Sequence, residues 1–526
     1  MNLVGRSSRI RPEWQGLVVA LLLGVALPGL ASCSAGESRQ TPRSVEAIDM
    51  SALAEPGFGE IGFVGVDGNR LRALTYRGTG FDPDGGPVWF VMHGASRDVE
   101  RYIRIAAPVA ERYDALAVAI HFPRDLYPRS EDYTLGVVEP DRWGRTSWDD
   151  RVWREPAGYA YTNVEGLYDR VRTVLGGEQV GYFIFGHSAG AQFTHRLLTF
   201  LPSTRVLGAV VANAGWYTMP LVDDPDVHSM PYGLIGSPVG PADLGRLFAT
   251  RLVVLLGEDD TSTAADDRLV RGTPEAQAQG QNRLARGQHY FEAAQEVAVA
   301  QGMDFAWELH VVPRAGHDAG AMIDAAGYFT FTGQPSPCSA SPASSAASLE
   351  ITEILADPPA GPAGDANGDG RRDPQEDEFI EFVNTGNEPI CLEGWTLGDA
   401  ERPDRHVFPP GPPLGPGEVL VVFGGGVPTG DFHGARVQWS DRGLGLSNAG
   451  DVLTLRDPSD AILIQISWGD ADGARRAMSH WDGDLGFAAS LVRAPGTGGS
   501  WQVHPELDGR RFSPGSPTDP RPAGAP

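Results

Sequence analysis

The chain contains no lysine: its 42 basic residues are all arginine, set against 68 aspartates and glutamates, for a formal charge of −26. Such a field repels a phosphate backbone, which excludes nucleic acid as a natural partner and suits a cation such as calcium better. Long apolar runs are also scarce. The N-terminal one, from Leu17 to Ala31, is interrupted by Gly24, Pro28 and Gly29 and is shorter than the roughly 18 residues of a membrane-spanning helix. Cysteine is limited to three residues. What is present bounds the rest. Hydrophobic residues at 41% exclude wholesale disorder, and 526 residues are too many for one ordinary core, so two or more domains are expected.

Arg6, Arg9 and Arg11 precede the N-terminal apolar run, and small residues follow it, the pattern of an export signal. It ends in Leu30-Ala31-Ser32-Cys33, which resembles the lipobox of bacterial lipoproteins. The resemblance implies a signal peptide over 1–33, an acylated Cys33 as first mature residue, and two or more acyl chains holding the protein on a bilayer. By analogy, Ser34 in second place points to the outer membrane of a bacterial envelope, on its periplasmic or its surface-exposed side. Ordinary cleavage with full secretion is the alternative. Residues 34–55 are polar and small and read as a tether. Cys338 and Cys391 then form an even pair in an oxidising compartment, where a disulfide is the default, worth roughly 4 kcal/mol on the chain-entropy model. Two separate buried thiols are the alternative.

The stretch that organises the first half is Val180 to Phe185 followed by Gly186-His187-Ser188-Ala189-Gly190. A strand-length apolar run that meets Gly-x-Ser-x-Gly and opens into a helical pattern is the context of a nucleophile elbow. A serine on so tight a turn crowds its neighbours, and residues without a Cβ relieve the clash. With 67 glycines in the chain, the motif alone decides little; its surroundings decide more. Ile61 to Val66 and Leu71 to Tyr76 flank Asp67-Gly68-Asn69 as a hairpin, and Pro87 to Met92 is continuously apolar up to His93-Gly94. A strand apolar on both faces belongs in a parallel sheet under helices. Helical patterns near 99–113, 163–175, 189–200 and 288–301 alternate with strand patterns at 116–120, 181–185, 206–213, 251–256 and 307–312. The alternation predicts a doubly wound, mostly parallel α/β domain over 56–335, with ligands at the carboxyl edge of its strands.

Asp259 and Asp260 follow one strand pattern at that edge, and His317 follows the next. The chain order Ser188, Asp260, His317 resembles that of the α/β-hydrolase superfamily. His93-Gly94 and Gly257-x-x-Asp260 are similar to its polyhydroxybutyrate-depolymerase and feruloyl-esterase-like members. The resemblance implies Ser188 as nucleophile, His317 as general base and Asp260 as the carboxylate that orients it, with adjacent Asp259 the rival. It also implies an oxyanion hole from the N–H groups of Ala189 and Ala95, with Gly94 or Ser96 as alternatives to the latter, and no cofactor for catalysis. His187 is also near the site but is expected to point away from it in the elbow, and reads as structural. An insertion over 122–161 carries Tyr127, Tyr133, Trp143, Trp148, Trp153, Tyr159 and Tyr161, read either as a lid or pocket wall for an aryl or hydrophobic acyl group, or as a loop pinned by its own aromatics. Trp216 and Tyr217 carry the same two readings.

From about 336 to 349 the composition shifts to Pro, Ser and Ala, a linker, and beyond it short runs read as alternating, such as Phe379–Val383, Val419–Phe423 and Val452–Leu455, predict an all-β sandwich over 350–518, before a disordered tail. Glu378-Phe-Ile-Glu381-Phe-Val-Asn384, Leu392-Glu-Gly394-Trp395, Leu414-Gly-Pro416-Gly417 and Leu446-Ser-Asn448-Ala-Gly450-Asp451 make this part resemble a lamin tail domain. The resemblance implies an immunoglobulin-like sandwich used for attachment to a cell-surface or polymer ligand. Within it, Asp365, Asn367, Asp369, Arg371, Asp373 and Glu376 fall at the ligand positions of a calcium loop, Arg371 through its carbonyl, with Gly370 at the bend. Calcium at such a site is expected to be structural; a solvated acidic turn is the alternative.

These readings together predict a membrane-anchored serine hydrolase that cleaves carboxylic esters, small or polymeric. A peptidase or amidase on the same scaffold, and a surface binding lipoprotein with a vestigial hydrolase fold, are the alternatives.

Overall fold

The computed structural model describes residues 53–139, 151–201, 203–334, 338, 348–399, 401–440, 442–469, 478–483, 485–486, 488–493, 500–505 and 511–516. Its first half is built on eight strands: β1 Gly57–Val64, β2 Arg70–Arg77, β3 Val88–Met92, β4 Leu116–His121, β5 Tyr182–His187, β6 Val206–Ala212, β7 Leu252–Gly257 and β8 Trp307–Val312. They pair in the order β1-β2-β4-β3-β5-β6-β7-β8. β2 runs antiparallel to both of its neighbours, and all pairings from β4 onward are parallel. The crossovers contain α1 Val99–Arg112, α2 Glu131–Thr134, α3 Thr162–Leu175, α4 Ala189–Phe200, α5 Pro241–Ala249, α6 Pro274–Gln279 and α7 Arg283–Gln301, and α8 Ala319–Thr332 follows β8.

The continuous apolar runs are explained by cover on both faces. Phe90, Val118, Ile184, Val211 and Val254 face one core with residues of α3, α4, α5 and α7. Trp89, Val91, Ala117, Phe185, Val210 and Val253 face the other with α1 and α8. Helix α7 starts at Arg283, five residues before the expected point, because Asn282 caps it by accepting the Ala285 N–H. Gly287 obscures that first turn in the sequence. It is there for packing, since a Cβ at 287 would lie 2.3 Å from the Leu256 side chain on β7. Helices α2, α5, α6 and α8 have no counterpart in the sequence pattern.

The second half is a sandwich. Its strands are β9 Leu349–Leu355, β10 Phe379–Asn384, β11 Thr396–Gly398, β12 His406–Val407, β13 Val419–Phe423, β14 Arg436–Trp439, β15 Gly450–Arg456, β16 Ile462–Gly469, β17 Ser479–Trp481, β18 Leu491–Val492 and β19 Gln502–Val503. One sheet has the order β14-β13-β10-β9-β18-β19 and the other β12-β11-β15-β16-β17. Cys338 is bonded to Cys391, with their Cα atoms 5.4 Å apart.

The six-stranded sheet is buried on both sides. Ile380, Phe382, Leu420 and Val422 point into the sandwich, whereas Phe379, Val421 and Phe423 join α1 and α8 in a core shared with the α/β half. The run Val419-Leu-Val-Val-Phe423 is therefore continuously apolar where a half-exposed strand would alternate. No helix among the described residues is long and apolar enough to cross a membrane.

Two buried carboxylates face each other in this sheet. Glu353 on β9 pairs in register with Glu381 on β10, and they are 1% and 0% exposed. Glu353 accepts from Ser490 Oγ, Ser513 N–H and Ser513 Oγ, and Glu381 accepts from Thr352 Oγ1 and Gly515 N–H. Burial raises the pKa of both, and the opposing carboxylate raises that of Glu381 further. Nearby Glu378 is pushed up to about 8 by burial. The folded state thus holds protons that the unfolded chain releases above the ordinary 4.5. The stability these groups contribute is full below that value and is lost as pH rises through about 8. Glu381→Gln removes one such proton from the balance. Melting curves across about pH 5 to 8 should show less loss of stability with rising pH in the variant than in the native chain.

Candidate active site

The sheet delivers three side chains to one edge. β5 ends in a turn where Ser188 takes φ 57° and ψ −116°, a backbone region that non-glycine residues rarely occupy. The turn closes only with glycine on either side: a Cβ at Gly186 would lie 2.2 Å from the Gly190 carbonyl, and one at Gly190 would lie 2.0 Å from the Met92 carbonyl. The strain aims the Ser188 hydroxyl outward at the start of α4. His317 Nε2 lies 3.0 Å from Ser188 Oγ, and His317 Nδ1 lies 2.7 Å from Asp260 Oδ2. Asp260 is 2% exposed. Asp259 is exposed and meets the His317 loop only through its backbone N–H, given to the Ala315 carbonyl at 2.9 Å.

Asp260 has a second partner that the sequence did not reveal. Arg283, in the first turn of α7, donates from Nη1 to Asp260 Oδ1 at 3.1 Å and from Nη2 to Asp267 Oδ2 at 3.1 Å. A cation at a helix N-terminus is disfavoured by the helix dipole. That misplacement was the one available clue that a buried carboxylate compensates it.

His187 is closer to the chemistry than its structural reading suggested. Its ring lies tilted against that of His317, with centroids 4.6 Å apart. Burial, and then the neighbouring His317, Arg101 and Arg283, hold its pKa well below the ordinary value, so it stays neutral beside a base that must become charged. Its Nδ1 is 2.9 Å from the Tyr102 hydroxyl, which lies against Gly94, where an added Cβ would come within 3.0 Å of it. Tyr102 thus ties the His93-Gly94 turn to the elbow. Ala189 is buried at the N-terminus of α4, and Ala95 is exposed on the facing loop. His93 is held neutral by burial and by Arg97, its pKa lowered to about 3, and it accepts the Phe122 N–H through Nε2 at 3.1 Å.

The described tyrosines of the insertion fill the core, while its polar residues Arg129, Glu131, Asp132 and Arg151 line a pocket with Arg271. Tyr127, Tyr133, Tyr159 and Tyr161 are all 6% exposed or less and belong to the main core. Tyr133 stacks on Phe122 and donates to the His93 carbonyl at 3.2 Å, and Tyr161 donates to the Thr134 carbonyl at 2.8 Å. A long loop must bury something to hold still, and these rings do that. Trp143 and Trp148 lie outside the described residues. Trp216 is likewise buried, stacked under Arg196 at 4.1 Å.

The acidic loop of the sandwich is a series of tight turns. Asp365 Oδ2 accepts the Gly370 N–H, Asn367 Oδ1 the Asp369 N–H, Asp369 Oδ1 the Arg371 N–H, and Asp373 Oδ1 the N–H groups of Gln375 and Glu376. Asp365 Oδ1 is buried with no hydrogen-bond partner. Burial and then neighbouring carboxylates raise the pKa of Glu376. Among the described residues, no group of three or more His, Cys, Asp and Glu side chains is gathered as a metal cage. Cys33 and the export segment lie outside the described residues.

The fold and its relatives define the class. A poly(aspartic acid) hydrolase from Sphingomonas sp. KT-1 is 32% identical; the match covers 52% of this chain and 98% of that one, with a TM-score of 0.47. A poly(3-hydroxybutyrate) depolymerase from Bordetella parapertussis is 32% identical over 55% of this chain and 95% of that one, with a TM-score of 0.49. With that identity across nearly the whole of both relatives, the chain belongs to the α/β-hydrolase superfamily and is a serine hydrolase. Residues 342–470 match the Lamin Tail Domain family, so the hydrolase carries such a module on its C-terminal side. A search of the curated proteins returned no match.

Proposed function

We propose that the protein cleaves carboxylic esters through an acyl-enzyme formed on Ser188. The observation that carries this reading is the unbroken line from Ser188 Oγ through His317 to the buried Asp260, at 3.0 and 2.7 Å. His317 Nε2 takes the hydroxyl proton as Ser188 Oγ bonds to the substrate carbonyl carbon. Asp260, fixed on its far side by Arg283, holds the imidazole in the tautomer with its proton on Nδ1 and stabilises the imidazolium. The N–H groups of Ala189 and Ala95 take the oxyanion. When the tetrahedral intermediate collapses, the ester C–O bond breaks and the imidazolium gives its proton to the leaving alcohol. Water, deprotonated by the same imidazole, then releases the acid and restores Ser188.

The two relatives favour a polymer as substrate, though through different bonds: poly(3-hydroxybutyrate) is joined by esters and poly(aspartic acid) by amides. Assay of the purified protein on aryl esters, short 3-hydroxybutyrate oligomers and poly(aspartic acid) decides between them. Cleavage of the esters is expected; cleavage of poly(aspartic acid) alone would transfer the same site to amide chemistry.

In this reading the protein is held on the envelope by acylated Cys33, and the lamin tail domain faces a cell-surface or polymer ligand. Calcium binds at Asp365, Asn367, Asp369, the Arg371 carbonyl, Asp373 and Glu376, as a structural ion with no part in the chemistry. The buried, unpartnered Asp365 Oδ1 supports this. With roughly 10⁻⁴ to 10⁻³ M affinity, millimolar calcium should raise the melting temperature by about 2–4 °C over a chelated sample. Asp365→Ala should abolish that shift.

A further inference from the structure

The loop that carries His317 is gripped on two sides. On the inner side it is held by the α/β half: the Ala315 carbonyl accepts the Asp259 N–H at 2.9 Å, and the Gly316 carbonyl accepts from Asn213 Nδ2 at 3.1 Å. On the outer side it is held by the sandwich. Pro313 packs against Gly394, just ahead of β11, so closely that a Cβ at 394 would come within 2.9 Å of it. Arg314 reaches the turn between β15 and β16, where Nη1 and Nη2 both donate to Asp460 Oδ1 at 3.1 Å and Nη2 also donates to the Pro458 carbonyl at 3.2 Å. Its own N–H returns to Glu258 Oε2 at 2.8 Å. Arg314 takes φ 54°, a left-handed conformation that an arginine keeps only when its surroundings over-determine it.

We infer that the lamin tail domain is a working part of the hydrolase: by anchoring Arg314 across the domain junction it sets His317 between Ser188 and Asp260. Arg314 is a positioning residue, and the inference rests on the triad proposed above. The ion pair is partly solvated, with the Asp460 side chain 69% exposed, and such a pair adds little to global stability. Its effect is on placement. A hydrogen-bonded base has a tolerance of a fraction of an ångström, and a misplacement near 1 Å costs about 10² in rate. Without the anchor, strained Arg314 can relax toward ordinary backbone angles, and His317 lies three residues further along.

The test is a double-mutant cycle in the full chain, reading kcat and KM on an aryl ester. The variants are Arg314→Ala, Asp460→Gly, which suits the φ of 72° at that position, and the two combined. Arg112→Ala is the control: it cuts a contact across the same junction, from Arg112 Nη2 to the Val437 carbonyl at 2.7 Å, together with the pair from Arg112 Nη1 to Asp324 Oδ1 at 2.7 Å inside the hydrolase, and neither touches the loop. Each loop-anchor substitution should lower kcat by roughly five- to thirtyfold with KM within about twofold, and should slow fluorophosphonate labelling of Ser188 in proportion. The combined variant should fall no further than Arg314→Ala. Arg112→Ala should lower the melting temperature and keep kcat. Native kcat in the two anchor variants, additive losses, or an equal loss in Arg112→Ala would each overturn the inference. Failure of the triad itself would register separately, as turnover that survives Ser188→Ala.

Discussion

Ser188→Ala is expected to lower kcat by about 10⁴- to 10⁶-fold while leaving the melting temperature nearly unchanged. The size follows from mechanism: with no Oγ there is no acyl-enzyme, and what remains is the oxyanion donors and substrate binding acting on water. The small effect on stability follows from position. Ser188 is half-buried on a turn whose shape is set by Gly186 and Gly190, so alanine inherits the same strained angles and loses only the bond to His317. Because the triad acts as a unit, adding His317→Ala to the Ser188→Ala protein should cost almost nothing more. Kinetics on the single and double variants, together with their melting curves, check all three statements.

The second large effect separates two adjacent carboxylates. Asp260→Asn should lower kcat by about 10⁴-fold, since an amide facing His317 Nδ1 admits the wrong imidazole tautomer. Asp259→Asn should change kcat by less than about twofold, because the Asp259 side chain is exposed and only its backbone meets the histidine loop. Stability should divide the same way. Arg283 and Asp260 are both buried, with side chains 3% and 1% exposed, so neutralising one leaves a buried charge facing an amide. Asp267, 34% exposed and also bonded to Arg283, shares that charge, so the expected loss is about 2 kcal/mol. Parallel activity and unfolding measurements on the two asparagine variants read both effects.

How much of this was legible in the sequence depends on whether a residue's role was local. Ser188 was visible because the elbow is a local problem in sterics, solved by glycines two residues away on each side. Asp260 was visible because the strand before it, Leu252 to Gly257, is apolar throughout and ends where polar residues begin, and His317 because it follows the next strand pattern at the same edge. Arg283 was hidden, because its partner is made by a crossover between β7 and α7. The direction of His187 was misread for a related reason: the turn brings its ring beside that of His317, a contact between residues 130 apart in the chain. The aromatic insertion was the main ambiguity, since rings that line a pocket and rings that fill a core look identical in sequence. The described tyrosines fill the core.

The junction with the lamin tail domain left one trace that was not read. Val419 to Phe423 lacks the alternation of a half-exposed strand, and the missing alternation meant that something covered its second face. That cover is α1 and α8 of the hydrolase. A linker-like composition between two domains therefore did not imply that they stand apart.

The central claim is that Ser188 is a nucleophile activated by His317. Incubating the full chain with a fluorophosphonate and locating the adduct by peptide mass spectrometry tests it most directly. The account predicts one stoichiometric adduct on Ser188 that is lost in His317→Ala. A native protein that stays unmodified, or an adduct on any other residue, would contradict it.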